Sequence, residues 1–390
     1  MINVTRTYLP PFDEFCEEIR SLWDSRIVTN MGPKHEEFRV ALEHMLDARV
    51  SLFANGHLAL EGVLRALELP QGGEVVTTPL SFASTVNAII RCGLKPVFAD
   101  VLEADGTLNP ALAERAITPR TVAILPVHVY GNVCDAEAFA DIASRHALPL
   151  IYDAAHAFGV RYRGRSALTL GDASIVSFHA TKVFSTIEGG AVVFADGEQN
   201  FFIRRSRTKL FDGIFQPRKV LVREGKKVLS CGDLKSFLES LDDEKNFGIR
   251  DYEICVSAGG NAKMNELQAA MGLCNLRHFE EVLAARKAVY ELYRQLLPSK
   301  VRVLEPCVGI DPNYSYMPVL LEDRNQAYAL LLENGIRARK YFYPLLSDLP
   351  FCEPYKADTP VARSICDHVL CLPLYPGLEP ADVERICKLL

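Results

Sequence analysis

Between residues 74 and 179 the sequence alternates short β-branched apolar runs with stretches of helical period, and this alternation leaves few folds open. EVVTTP (74–79), KPVFADV (95–101), VAILPVHVY (122–130), LPLIYD (148–153) and ASIVSFH (173–179) read as strands bounded by turn residues. TVNAIIRCG, NPALAERAI and DAEAFADIASRHA, lying between them, place apolar residues at helical spacing. Strands joined by helices of this length form βαβ units, so the chain is expected to be α/β, with a mostly parallel sheet covered on both faces. Ligands of such sheets sit at the carboxyl ends of the strands.

A chain of 390 residues, 49% hydrophobic and 24% charged, exceeds the size at which one core stops growing. From about residue 262 a long helical pattern runs to about 297, with a break expected near His278. YSYMPVLL (314–321), a helical RNQAYALLLENG and LCLPLYP (370–376) then suggest a small α+β unit. The expected division is a large domain over 1–260, followed by the long helix and a small domain over 261–390. Residues 210–245 interrupt the pattern with balanced charge, a hairpin-like VLV-REGKK-VLS and a short helix that Asp233 is placed to cap. They read as an inserted surface excursion.

The net charge of −6 gives no basic footprint for nucleic acid or for an anionic membrane surface. No apolar run reaches the length of a membrane span, and MINVTRTYLPPFDEF lacks the apolar core of a signal peptide, so a cytoplasmic protein is expected. The eleven cysteines are scattered singly, which suits reduced thiols, and neither they nor the histidines show zinc-ligand spacing.

Chemistry concentrates in SFHATKVFSTIEGG (177–190). Lys182 follows the end of a predicted strand, where a partly desolvated amine loses its proton readily and condenses with an aldehyde. Asp153 ends the strand LPLIYD, and His156 follows in AAHAFG. A carboxylate at a strand end can pair with the ring nitrogen of pyridoxal phosphate. In SLFANGHLALEGVLRAL, Asn55 and Gly56 close an apolar run and open a helix, which leaves the amides of Gly56 and His57 at a positive helix terminus suited to a phosphate, with the Ser177 hydroxyl as a further donor. Taken singly, each has a commonplace reading: a surface lysine, a capping aspartate, a core histidine, a turn.

Taken together, FANGHLAL, TTPLSFAST, YDAAHAFG, SFHATKVFSTIEGGA and GNAKMNELQAAMG, in this order, resemble the sugar aminotransferases of the DegT/DnrJ/EryC1/StrS family. The resemblance covers nearly the whole chain outside 210–245. It implies a fold-type I transferase dependent on pyridoxal 5′-phosphate, with a mostly parallel sheet of the seven-stranded type. It further implies that Lys182 bonds the cofactor aldehyde, that Asp153 pairs with the pyridine nitrogen and that His156 lies beside the phenolic oxygen. By the same resemblance Phe82 stacks on the ring, Gly56, His57 and Ser177 hold the phosphate, and Asn261 reaches the phosphate of a neighbouring subunit in a homodimer with shared sites.

Where many members carry an aromatic residue and arginine, this chain has Ala262 and Lys263, and a common histidine after Tyr-Pro-Leu is replaced by Leu346. FHATKVF, NAKMNE and RKYFYPL resemble most the branch that makes 4-amino-4,6-dideoxyglucose on a thymidine diphosphate carrier. The implied partners are L-glutamate and a nucleotide-linked keto sugar, with amination of a 3-keto sugar as the alternative. Two other readings are disfavoured. Related sugar dehydratases replace the lysine by histidine, which Lys182 argues against, and a regulatory scaffold has no need of lysine, carboxylate, aromatic and phosphate anchor together.

Overall fold

The computed structural model describes residues 1–195, 221–223, 226–228, 234–250 and 254–390. Its central sheet follows from the alternation. Ala48–Phe53, Gly190–Ala195, Ala173–Ser177 and Ile151–Asp153 lie side by side, and Lys95–Phe98, Glu74–Thr77 and Thr121–Leu125 form a second ladder. Parallel bridges from Ile124 to Leu150 and from Val127 to Asp153 join the two ladders. Among the described residues Gly190–Ala195 is the one antiparallel member of this sheet.

Successive side chains of the strands enter opposite cores, which explains why the runs are apolar throughout. Val76, Ile124, Tyr152, Val176 and Val193 pack with Phe38, Phe139 and Phe178 on one face. Val75, Ala123, Leu125, Ile151, Ile175 and Val192 pack on the other against Leu60, Val63 and Ile89. The helices begin where the sequence supplies caps: the side chain of Asn55 accepts from the Leu58 amide, Asp135 from Ala138, and Asn265 forms a capping box with Gln268.

The long C-terminal helical pattern is two helices, Glu266–Arg277 and Phe279–Leu296, parted at His278. Glu266–Arg277 packs on Pro33–Leu46, close enough that a Cβ on Gly272 would meet the Phe38 ring at 2.6 Å. Beyond it Arg302–Val303, Met317–Leu320 and Val369–Leu372 form an antiparallel sheet, and Phe279–Leu296 packs against Pro380–Leu389 beside it. Contacts cross the expected boundary at several points. The Glu266–Arg277 helix lies against Pro33–Leu46, Ile2–Asn3 pairs in parallel with Ile336–Arg337, and Arg161–Tyr162 pairs with Ile310–Asp311. These are long-range contacts that local pattern does not encode.

The segment expected as a surface excursion does not lie wholly outside the core. Leu221–Arg223 pairs with Lys226–Val228 as a hairpin, and Asp233 lies outside the described residues. The helix Leu234–Lys245, however, enters the core: Phe237 and Leu241, one turn apart, are buried with Phe53 and Leu60. Charged positions such as Glu239 and Asp242, both exposed, concealed a narrow apolar stripe. Among the described residues no helix is long and apolar enough to cross a membrane.

Candidate active site at the carboxyl ends of the strands

Three strand ends converge on one pocket, whose lining includes Ala155, His156, Ser177, Lys182, Ser315 and Tyr316. Lys182 lies in the tight connection between Ala173–Ser177 and Gly190–Ala195, closed by Phe178 N–H to Gly189 O at 2.8 Å and Thr186 N–H to Phe178 O at 2.9 Å. Among the described residues its amine has no hydrogen-bond partner. Loss of water around it lowers its pKa from 10.5 to about 8, against the opposing attraction of Asp153. A lysine in this condition is free amine in part at neutral pH.

Asp153, 5% exposed, ends its strand inside the sheet. Burial raises its pKa, while the Thr85 hydroxyl, the Ala155 amide, Lys182 and His57 favour the carboxylate. Thr85 Oγ1 donates to Asp153 Oδ2 at 2.7 Å and in turn lies 2.8 Å from Ser81 Oγ. His156 is buried, which depresses its pKa well below 6.5, with Lys182 adding to the effect. Its Nδ1 accepts from the Tyr130 amide at 3.2 Å, so the proton of the neutral ring sits on Nε2 as a donor. Phe342 stacks on the ring at 5.3 Å and Tyr316 meets it edge-on at 5.0 Å.

The phosphate candidates meet at the start of helix Gly56–Ala66. With the Asn55 side chain taken by Leu58, the Gly56 and His57 amides have no acceptor within the helix. A Cβ on Gly56 would stand 2.9 Å from Ser177 Cβ, and one on Gly190 would stand 2.5 Å from the Gly56 nitrogen, so glycine at both positions leaves room for the cradle. Phe82 precedes the helix Ala83–Arg91 and, at 62% exposed, offers a large aromatic surface to solvent.

These residues fit a pyridine ring bearing an aldehyde and a phosphate: a buried carboxylate in want of a cation, a histidine donor, an uncovered aromatic face and an anion cradle beside a poised amine. The family model for the DegT/DnrJ/EryC1/StrS aminotransferase family matches residues 12–390. The chain belongs to this family. It is a nucleotide-sugar aminotransferase of a family that uses pyridoxal phosphate. Its relatives include the dTDP-4-amino-4,6-dideoxy-D-glucose transaminases of Escherichia coli, 38% identical across 100% of this chain and 98% of the relative, and of Shigella dysenteriae, 38% identical across 99% and 97%. Among solved structures, DesI in the presence of its TDP-sugar product superposes with a TM-score of 0.85 at 29% identity, covering 100% of this chain and 91% of that one.

Within this aminotransferase, His156, Ser177 and Lys182 line one pocket, Gly56 abuts Ser177, Asp153 lies within range of the Lys182 and His57 charges, and Phe82 stands at the head of the helix that bears Thr85. Asn261 stands apart: it is exposed, bridges to Asn246 and does not line the Lys182 pocket. Its neighbour Ala262 accepts from the Ala54 amide at 2.7 Å, two residues before Gly56. Lys263 is buried, 2.9 Å from Asn246 Oδ1 and over the Phe247 ring. Leu346 is core, packed with Val86 and Phe98.

Sequence reasoning missed several parts of the site. Asn313 donates to the carbonyls of both His156 and Phe158 at 2.8 Å, and Ser315 donates to the His156 carbonyl at 2.8 Å, which pins the histidine backbone. The buried Arg286 holds the carbonyls of Tyr314 and Ser315, each at 2.8 Å. The local signal was the polar NYSY ahead of an apolar strand. Thr85 was quoted within TTPLSFAST, yet nothing in that motif announces its contact with Asp153.

Proposed function

We propose that this aminotransferase moves the amino group of L-glutamate, through pyridoxal phosphate, onto C4 of thymidine-diphosphate-linked 4-keto-6-deoxyglucose, giving the 4-amino-4,6-dideoxy sugar nucleotide. The observation that carries the transamination is the poised amine of Lys182, its pKa lowered to about 8 beside the buried Asp153. The choice of sugar is supported by the transaminases of that name at 38% identity over the whole chain.

When bound, pyridoxal phosphate supplies an aldehyde that takes up amines and a ring that withdraws electrons from the carbon bearing them. Lys182 would hold that aldehyde through its amine and, as general base, would take the proton from the amine-bearing carbon of glutamate. With the keto sugar it moves a proton in the opposite direction. Asp153, whose charged form the Thr85 hydroxyl and the Ala155 amide favour against burial, would pair with the ring nitrogen. His156 would offer Nε2–H to the phenolic oxygen, Phe82 would cover one ring face, and the Gly56 and His57 amides with Ser177 would hold the phosphate.

The functional unit in this reading is a cytoplasmic homodimer in which Asn261 of the partner subunit completes the phosphate site. Support comes from the exposed Asn261 side chain and its position next to the residue that tethers Ala54. Incubation with L-glutamate and either the 4-keto sugar nucleotide or its 3-keto isomer, followed by NMR of the products, tests the proposal. A 4-amino product from the first substrate is expected. Amination of the 3-keto isomer alone would move the reaction to C3, and no amination of either would refute the proposal.

A further inference from the structure

The side chain of His57 and the groups around it have no part in the scheme above, which uses only its amide. His57 is the second residue of helix Gly56–Ala66 and Ser84 the second of helix Ala83–Arg91. His57 Nδ1 lies 3.0 Å from Ser84 Oγ, and His57 Nε2 lies 3.0 Å from Glu61 Oε1. The Glu61 side chain is 7% exposed; Arg91 hydrogen-bonds it, and Arg65 stands 3.8 Å away. The ring is thus held by a buried carboxylate on one side and hands its other nitrogen to a hydroxyl that opens a neighbouring helix.

The proton count of the ring decides what that hydroxyl can do. Glu61 accepts from Nε2–H whether or not the ring is charged. In the neutral ring Nδ1 is therefore an acceptor, and the Ser84 hydrogen is spent on it. Ser84 then has only lone pairs to offer an anion bound at the nearby Gly56 and His57 amides, and these repel it. In the imidazolium, Nδ1–H donates to Ser84 Oγ, and the hydroxyl hydrogen is released to donate outward, backed by a positive charge.

We propose that Glu61, His57 and Ser84 form a proton-linked anion clamp, in which binding of the cofactor phosphate takes one proton from solvent onto His57 and turns the Ser84 hydroxyl from the ring to a phosphate oxygen. The proposal rests on the phosphate site of the preceding section. No covalent bond changes: the ring gains a proton, and one O–H···N bond is exchanged for N–H···O and O–H···O bonds. The charged groups facing His57 are Glu61 and Arg65 on its own helix, Arg91 on the helix of Ser84, and Asp153 at the strand end, with Lys182 beyond it. The two carboxylates favour the charged ring and the three cations oppose it. Glu61 is the one in contact.

The clamp also couples parts of the site that sequence keeps separate. The helix that carries Ser84 presents Phe82 at its head and Thr85, bonded to Asp153, one residue on. Drawing Ser84 toward a phosphate therefore sets the same helix that carries the stacking aromatic and the carboxylate's donor. Glu61 is a positioning residue here, acting through His57.

The test is calorimetric titration of the full chain, freed of cofactor, with pyridoxamine phosphate, which forms no bond to Lys182. Repeating it in buffers of different ionisation enthalpy counts the protons taken up, and the phosphate's own titration is common to all variants. Wild type should take up as much as one proton more per site than His57→Gln or Ser84→Ala, and its affinity should fall by up to about tenfold more per pH unit on the alkaline side than theirs. Ser84→Thr, which keeps the hydroxyl, should restore the uptake, and Glu61→Gln should shift it to lower pH. Equal proton counts in wild type, His57→Gln and Ser84→Ala would overturn the clamp and leave the cofactor site standing. Absence of binding by wild type at every pH would overturn both.

Discussion

The Thr85 hydroxyl donates to Asp153 at 2.7 Å, so a residue of the second strand-to-helix corner fixes the carboxylate at the end of a different strand. Asp153 is buried, and each hydrogen bond to its charged form keeps the proton off. Thr85→Val preserves shape and removes the donor. About 1 kcal/mol of support for the charged form should be lost, or roughly a fivefold to tenfold fall in kcat with little change in sugar KM. Asp153→Asn should lose nearly all activity. Steady-state kinetics of both variants checks this, and a Thr85→Val enzyme with wild-type kcat would show that the hydroxyl is dispensable.

Lys182 makes a prediction about stability as well as catalysis. Its folded-state pKa of about 8 lies below the ordinary 10.5, so between these values the unfolded chain holds more protons than the folded one. This contribution to stability therefore rises with pH from about 8 to 10.5, and the full penalty of burying the charged amine applies below that window. Cofactor-free Lys182→Met should be more heat-stable than wild type at pH 7, by on the order of a few kcal/mol, and the difference should shrink toward pH 10. Scanning calorimetry across that range measures it. The same variant should leave the absorbance of pyridoxal phosphate without the shift that bonding to the lysine amine gives, and should show no turnover.

The helix Leu234–Lys245 should prove indispensable. Phe237 and Leu241 are 1% and 0% exposed and pack with Phe53 and Leu60 against the sheet. Phe237→Ala should destabilise the fold by about 3 to 5 kcal/mol, and joining residue 209 to residue 246 should give insoluble protein. Denaturant titration and expression tests decide between this and a removable surface element.

The shared site can be tested by mixing. Asn261→Asp sets a carboxylate beside a phosphate and should be nearly inactive; Lys182→Ala should be inactive outright. If the two residues serve one site from opposite subunits, a mixed dimer has one site with both lesions and one with neither. Random assortment makes about half the dimers mixed, so about a quarter of the sites should recover activity. Subunit exchange without recovery would put both residues in one chain's site.

What the sequence determined by itself was local or periodic. Apolar runs alternating with helical stretches dictated the sheet and its helical cover, and the ends of those runs put Lys182, Asp153 and Ser177 where a parallel sheet keeps its ligands. Asn55 announced its helix because a cap is a contact across three residues. What remained for the tertiary structure depends on packing between segments far apart in the chain. Examples are the His57 ring between Glu61 and Ser84, Thr85 beneath Asp153, Asn313 and Ser315 on the His156 carbonyl, and Ile2–Asn3 beside Ile336–Arg337. The helix Leu234–Lys245 marks the limit between the two: its residues specified a helix, but which face was buried was decided only when Phe53 and Leu60 met Phe237 and Leu241. Periodicity fixes which residues share a face, and only the fold decides what that face meets.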